Sequence, residues 1–274
     1  MRFSTIRSKL TRNEASLCVT LHLADPSVFE LTSLFGFDAI LIDLEHHGLS
    51  VETAGQLMRA ARVGPTDIIA RPGKGEFMRM GRLLELGAQA ILYPRCDSPA
   101  EAAEVVRWAK FAPLGQRGFD GAGPDSAYSF MPMRDYIEHA NRETLVIIQI
   151  EDQRSLDQVE AIATTPGVDL IMLGAADYSI LSGFAGDFDH PSVMQAVERI
   201  ARAAHKAGKH WVRSVGTPEQ AQQSLEMGCR LLLHNADILM IKNGLLQIQQ
   251  NFSPLGFQFD NRLAKDARIA FGRR

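Results

Sequence analysis

Apolar and polar positions alternate along this chain with two periods. Short apolar runs rich in branched residues are separated by longer segments in which apolar residues return every third or fourth position. The first pattern reads as buried strand and the second as amphipathic helix. Strands are predicted at Leu17–Leu23, Asp38–Asp43, Asp67–Arg71, Ala90–Pro94, Leu145–Ile150, Asp169–Leu173, Lys209–Arg213 and Arg230–His234. A helix is predicted after each: Pro26–Phe35, Val51–Val63, Glu76–Leu86, Pro99–Lys110, Ser155–Thr164, Pro191–Ala207, Pro218–Met227 and Ile238–Asn251. Eight βα units in tandem predict a closed parallel (β/α)8 barrel, an α/β fold formed as a single domain over residues 1–274.

Punctuation along the chain agrees with this division. Asp25-Pro26, Ser98-Pro99, His190-Pro191 and Thr217-Pro218 put proline in the first helical turn, where its missing N–H removes no hydrogen bond. Asp25, Ser98 and Thr217 are also side chains that cap free helical N–H groups. Gly87, Gly208 and Gly228 stand where a helix ends in a left-handed residue. One connection is too long for the pattern: Phe111 to Asn141 carries six glycines or prolines before Pro132, then a predicted short helix at Met133–Ala140. It joins the fourth helix to the fifth strand, so it lies on the face opposite the active-site loops. It reads as an interface element reaching a neighbouring subunit. The rival fold, an open doubly wound sheet, needs a glycine-rich phosphate turn after its first strand. His22-Leu23-Ala24-Asp25 supplies none.

Composition narrows the class of function. The 274 residues suit one α/β barrel, and the 46% that are hydrophobic suffice for a large core. A formal charge of −3, from 29 basic and 32 acidic residues, leaves no field to hold nucleic acid or an anionic membrane. Cys18, Cys96 and Cys229 are odd in number and widely spaced, which predicts neither a disulfide framework nor a zinc site. A reducing cytoplasm is the expected compartment. Met1 to Leu10 is basic but lacks the apolar stretch of a signal peptide, and no run approaches a membrane span.

Barrel enzymes place their chemistry at the C-terminal ends of the strands, and here those ends are polar. The second strand ends Ile42-Asp43-Leu44-Glu45-His46-His47. Period two puts Leu41, Asp43 and Glu45 on one face, so the inner face ends in two carboxylates with His46 just beyond. The third strand ends in Arg71. The fifth ends with Gln149 and Glu151 facing the same way, and the sixth runs into Gly174-Ala175-Ala176-Asp177. Taken singly, an acidic residue after a strand reads as a helix cap, a histidine as a hydrogen-bonded surface residue and an arginine as a solvated one. Four strand ends carrying acid, base, cation and acid converge if the barrel closes. Glu151 and Asp177 suit a hard divalent cation such as Mg2+ or Mn2+, which takes oxygen ligands and keeps several waters. The small residues before Asp177 leave room for a ligand to meet backbone N–H groups.

The segments Phe37–His46, Gln149–Glu151 and Gly174–Ser179, with the Leu86-Gly87-Ala88-Gln89 step and the Gly115-Gln116-Arg117-Gly118 turn, resemble a known family. They are similar to the signatures of the class II pyruvate aldolases, the 4-hydroxy-2-oxoheptanedioate aldolase and 2-dehydro-3-deoxyglucarate aldolase (HpcH/HpaI) family, over about Leu17 to Leu246. The resemblance implies a TIM barrel of the phosphoenolpyruvate/pyruvate type. It implies an aldolase that reversibly cleaves a 4-hydroxy-2-oxo acid to pyruvate and an aldehyde with the help of Mg2+, Mn2+ or Co2+. At matching positions it implies metal ligation by Glu151 and Asp177, a catalytic base at His46 and an enolate-stabilising cation at Arg71. Gln149, Gly174, Ala175, Ala176 and Asp177 are implied to contact the 2-oxo acid. Support for His46 is implied from Glu85, on the third helix, or from Asp43. The implied partners are a small 2-oxo acid (pyruvate or oxaloacetate), an aldehyde, and further copies of the chain in a homohexamer, a trimer of dimers. In that hexamer the C-terminal helix and tail, about residues 238–274, pack on a neighbour. The chain departs from the family pattern at Ala175 and Tyr178, at Arg95-Cys96, at Gly123-Pro124-Asp125 and at His234-Asn235-Ala236-Asp237. Arg95 and Arg213, each placed at a strand end, are expected to favour acceptors that carry an anionic or strongly polar group.

The implied mechanism polarises the keto group of pyruvate with the metal and acidifies its methyl protons. Arg71 then faces the developing enolate oxygen, and His46 moves the proton. No Schiff-base lysine is required, because neither Lys74 nor Lys110 is at a barrel-facing strand end. The nearest alternatives are a related carbon–carbon lyase and an oxaloacetate decarboxylase of the same superfamily. A CoA-ester lyase would need a basic patch for the CoA phosphates, which the sequence does not display. A sugar-phosphate isomerase barrel would need glycine-rich phosphate turns after strands seven and eight. Val215-Gly216-Thr217 and Asn235-Ala236-Asp237 fit that need poorly. A non-catalytic binding barrel leaves the joint presence of His46, Arg71, Glu151 and Asp177 without a reason.

Overall fold

The computed structural model of the protein describes residues 3–263. Its eight strands are β1 (Ser16–Leu21), β2 (Ala39–Asp43), β3 (Asp67–Arg71), β4 (Ala90–Tyr93), β5 (Leu145–Ile150), β6 (Leu170–Leu173), β7 (His210–Val215) and β8 (Leu231–Ala236). Each pairs in parallel with the next, and β8 returns to β1, so the barrel expected from the sequence closes. Alternation sorts the side chains. Ala39, Leu41, Ile69, Leu92, Ile147 and Met172 belong to one apolar cluster, the barrel interior. Their neighbours Ile40, Ile42, Ile68, Ile91, Ile148 and Ile171 pack with the surrounding helices. The register sets Asp43 directly beside Arg71 across β2 and β3.

The strands are linked through α2 (Pro26–Leu34), α3 (Val51–Ala60), α4 (Phe77–Glu85), α5 (Pro99–Ala109), α6 (Met133–Glu143), α7 (Gln153–Leu156), α8 (Val159–Ala163), α9 (Ala175–Leu181), α10 (Pro191–Lys206) and α11 (Pro218–Glu226). Asp25, Ser98 and Thr217 cap their helices as expected. Gly87 and Gly228 take φ of 113° and 84°, the left-handed region where a side chain is strained. The helix expected at Ser155–Thr164 is two short ones. Asp152 and Ser155 cap each other reciprocally and start α7 two residues earlier, and the chain breaks before α8.

An N-terminal helix, α1 (Thr5–Thr11), was not expected. It has two buried apolar positions, Ile6 and Leu10, which join the interior cluster. Asp67, at the start of β3, holds it by accepting from Ser4 Oγ at 2.6 Å and from the Thr5 and Ile6 N–H groups at 3.0 and 2.9 Å. The Ser4 N–H reaches Glu143 at 3.0 Å, and Arg7 reaches Asp169 at 2.8 Å. This closes the face of the barrel where the strands begin.

The chain divides into two compact units, Met1–Ala236 and a second from Asp237. The second contains α12 (Asp237–Phe252) and a 3₁₀ turn at Ser253–Leu255. Ile238, Leu239, Met240, Ile241, Leu245 and Ile248 of α12 are exposed. The end of the tail expected to pack on a neighbour, after Leu263, lies outside the described residues. Among the described residues no helix is long and apolar enough to cross a membrane.

Candidate active site

The strand parity that buries Leu41, Ile69 and Ile147 also carries Asp43, Arg71, Gln149 and Glu151 to the far end of the interior. Asp43 accepts from Arg71 Nε at 2.8 Å and Nη2 at 2.7 Å, a bidentate pair that fixes the plane of the guanidinium. It also accepts the N–H groups of Glu45 at 3.0 Å and His46 at 3.4 Å. Burial pushes the Asp43 carboxyl up, but Arg71 and these N–H groups outweigh it and hold it below its ordinary range. Glu45 follows on the same face. Its Oε2 lies 3.5 Å from Arg71 Nε and 3.5 Å from His46 Nε2. Burial raises the Glu45 carboxyl against the pull of Arg71, His46 and Arg95. The His46 side chain is about half exposed, at the rim of the site.

Glu85 does not join this group within the chain. It is the last residue of α4, and a helix following a barrel strand returns its C-terminus to the opposite face. Burial raises its carboxyl there, in the company of Arg117, Asp120 and Asp125. The carboxylate beside His46 is Glu45. The second-strand motif contained that signal, because residue 45 shares the inward parity of residue 43.

Glu151 is 4% exposed. Its Oε2 accepts the backbone N–H of Arg95 at 2.7 Å, and its Oε1 accepts Gln149 Nε2 at 3.0 Å. Burial, with the charges of Asp177 and Glu45, pushes its carboxyl up to about 7 against the Arg95 N–H and Arg71. Gln149 Oε1 and Glu45 Oε2 are buried without a hydrogen-bond partner among the described residues. A Cβ on Gly174 would stand 2.4 Å from Glu151 Oε1 and 2.6 Å from Gln149 Nε2, so only glycine allows β6 to approach β5 this closely. Ala175, Ala176 and Asp177 then form the first turn of α9. Among the described residues no three His, Cys, Asp or Glu side chains are grouped to hold a metal. The site still fits a hard divalent ion. Glu151 is a buried carboxylate raised by its acidic neighbours Asp177 and Glu45, the orphaned acceptors belong to residues beside it, and such an ion keeps several waters.

Arg95 follows Pro94 with φ of 50° and extends across the mouth of the site. Its Nη2 is 3.1 Å from Asp177 Oδ1 and its Nε 3.4 Å from Glu45 Oε1. Asp97 pairs instead with Lys74, at 2.5 Å. The expectation for Arg213 is corrected. Strand β7 runs on to Val215 and Val212 faces inward, so Arg213 points out between α10 and α11. There it donates to Ser224 Oγ at 3.2 Å and meets Met194 Sδ at 3.6 Å. One feature left no trace in the sequence pattern. The rings of His22 and His47 stack at 3.9 Å, and His47 Nε2 lies 3.8 Å from Asp43 Oδ2. They follow different strands, so no local spacing pairs them.

A family model described as HpcH/HpaI aldolase/citrate lyase matches residues 18–232. The chain is 32% identical to a hydroxypyruvate/pyruvate aldolase of Paraburkholderia phytofirmans, over 89% of this chain and 96% of that one. It is 29% identical to a 4-hydroxy-2-oxo-heptane-1,7-dioate aldolase of Shigella sonnei, over 87% and 90% of the two chains. A crystal structure of an HpcH/HpaI aldolase/citrate lyase family protein from Burkholderia cenocepacia matches the fold with a TM-score of 0.85 at 31% identity, covering 91% of this chain and 99% of that one.

Proposed function

This chain belongs to the HpcH/HpaI aldolase/citrate lyase family, and from that premise we infer that it is a metal-dependent aldolase. Its reaction is the reversible cleavage of a 4-hydroxy-2-oxo acid to pyruvate and an aldehyde. The observation that carries this reading is the joining of two halves at one end of the barrel. The Asp43–Arg71 pair with Glu45 and His46 forms one, and the carboxylates of Glu151 and Asp177 form the other.

Glu151 and Asp177 would hold the divalent ion, Mg2+ or Mn2+ by its oxygen ligands. When bound it supplies a Lewis acid for the keto oxygen of the 2-oxo acid. Gln149 and the backbone at Gly174–Ala176 line the side on which that acid binds. Arg71, oriented by Asp43, presents fixed donors to the oxygen on which negative charge grows, and such donors stabilise most as the charge develops. In cleavage His46 takes the proton of the 4-hydroxyl and delivers a proton to C3 of the departing pyruvate; in condensation it takes a methyl proton and gives it to the oxygen of the new alcohol. Glu45, 3.5 Å from His46 Nε2, stabilises the imidazolium. Decarboxylation of oxaloacetate needs only the ion and Arg71, and is a side activity of the same arrangement.

The assembly in this reading is a cytoplasmic hexamer, a trimer of dimers in which α12 packs on a neighbour. The exposed apolar residues of α12 and three buried free cysteines support it. The test is calorimetric titration of Mn2+ into wild type, Glu151→Ala and Asp177→Ala, with pyruvate condensation assayed with and without a chelator. Loss of affinity in the variants and loss of product on chelation are expected. Unchanged affinity in both variants, or product formed regardless of chelator, overturns the reading.

A further inference from the structure

We propose that Arg95 is an exchangeable cation of this site. It pairs with Asp177 and Glu45 until a divalent ion takes Asp177, and it then offers its guanidinium to the carboxylate of an acid-bearing aldehyde. The proposal rests on the aldolase reading and names the acceptor class.

The backbone and the side chain of Arg95 are held in different ways. The backbone is pinned on both sides: its N–H donates to Glu151 Oε2 at 2.7 Å, and its carbonyl accepts Lys74 Nζ at 2.6 Å. Among the described residues the side chain is tied by the ion pairs to Asp177 at 3.1 Å and Glu45 at 3.4 Å, and it is 50% exposed. The guanidinium can therefore leave both carboxylates without moving the chain that supports Glu151. The guanidinium is half exposed and solvent screens its pairs, although Glu45 is 11% and Asp177 28% exposed, and a doubly charged ion on Asp177 satisfies the carboxylate that the arginine otherwise holds. Arg71 cannot serve in its place, because Asp43 occupies its Nε and Nη2 and it is 15% exposed. Lys74 is engaged by Asp97 and Glu101. A guanidinium released at the rim is a planar two-donor fork, the shape that matches a carboxylate. An aldehyde approaching the bound 2-oxo acid through this mouth meets it with the end remote from its carbonyl.

The test uses the full-length enzyme as wild type, Arg95→Met and Arg95→Lys. Mn2+ affinity is measured by calorimetry, and kcat/KM for condensation of pyruvate is measured with succinic semialdehyde and with butanal. Arg95→Met is expected to bind Mn2+ roughly three- to tenfold more tightly, because the competing ion pairs are gone. The wild-type preference for succinic semialdehyde is expected to be roughly ten- to a hundred-fold and to fall to near unity in this variant. Arg95→Lys keeps the charge but not the fork, so it is expected to bind Mn2+ as wild type does and to lose most of the preference. Unchanged or weaker Mn2+ binding in Arg95→Met overturns the exchange. A preference absent from wild type, or surviving in Arg95→Met, overturns the acceptor role, and either result rejects the proposal. Equal rates from the two aldehydes leave the aldolase reading intact, whereas no product from any aldehyde sinks that reading and the proposal together.

Discussion

Gly174→Ala adds one methyl group at the point where β6 comes closest to the carboxylates of β5. The backbone there has φ of −79°, which alanine also adopts, so the effect is one of space. The new Cβ would stand 2.4 Å from Glu151 Oε1, 2.5 Å from Glu151 Cγ and 2.6 Å from Gln149 Nε2. Carbon contacts are comfortable at about 3.5–4.0 Å, so these atoms must retreat by about 1 Å. They have little room: Gln149 is 3% and Glu151 4% exposed, and Glu151 is tethered to the Arg95 N–H. Overpacking of a buried site costs about 1–3 kcal/mol, which the barrel should survive. A misplacement of about 1 Å at a catalytic site costs about a hundredfold in rate, and a disturbed ligand weakens metal binding by roughly ten- to a hundred-fold. The assay compares thermal unfolding, Mn2+ calorimetry and kcat/KM for aldol cleavage in wild type and variant. Wild-type Mn2+ affinity and kcat/KM in a folded Gly174→Ala enzyme would refute the reasoning, since Glu151 would then not be a ligand whose position matters.

Three further outcomes are expected. His46→Ala should slow exchange of the pyruvate methyl protons into D2O by roughly two to four orders of magnitude; an unchanged exchange rate by NMR moves the base elsewhere. Arg71→Lys should be nearly as harmful to kcat as Arg71→Ala, because lysine cannot reproduce the two-point pairing with Asp43; recovery of kcat by lysine would show that charge alone suffices. Burial lowers the Lys110 ammonium from 10.5 to about 8, with Asp169 opposing. The folded state therefore binds fewer protons than the unfolded state between those values. The burial penalty of up to about 3 kcal/mol is fully present below pH 8 and relieved as pH rises to about 10.5. The stability of wild type relative to Lys110→Met should accordingly rise across that window in denaturant titrations, and a difference independent of pH contradicts the assignment.

The barrel was legible because its strands and helices repeat eight times, and because caps such as Asp25 and Thr217 act within a few residues of themselves. The polar residues that face inward were legible for a related reason: once the barrel is granted, strand parity alone turns Asp43, Arg71, Gln149 and Glu151 toward the interior. Arg213 shows the limit of that logic. Ending the seventh strand two residues early gave the arginine a terminal position, whereas the parity of Val212 sends it outward. Glu85 was placed by motif matching, which carries no information about which end of a helix meets which face. Helix α1 was illegible because its seven residues are held by Asp67 and Glu143, partners far along the chain. The reach of Arg95 to Asp177 is likewise long in sequence and short in space.

The docking of α1 ties the start of the chain to its later parts in time as well as in space. Residues 4–13 leave the ribosome well before the groups they bind: Glu143, Asp169, and Arg230, whose Nε donates to the Asn13 carbonyl at 3.0 Å. Until those emerge, Ile6 and Leu10 have no interior to enter. The floor of the barrel therefore cannot be completed until synthesis has passed Arg230. A nascent chain that stalls before Arg230 lacks β8 as well, so it presents an unclosed sheet with α1 unseated to whatever chaperone or protease meets it.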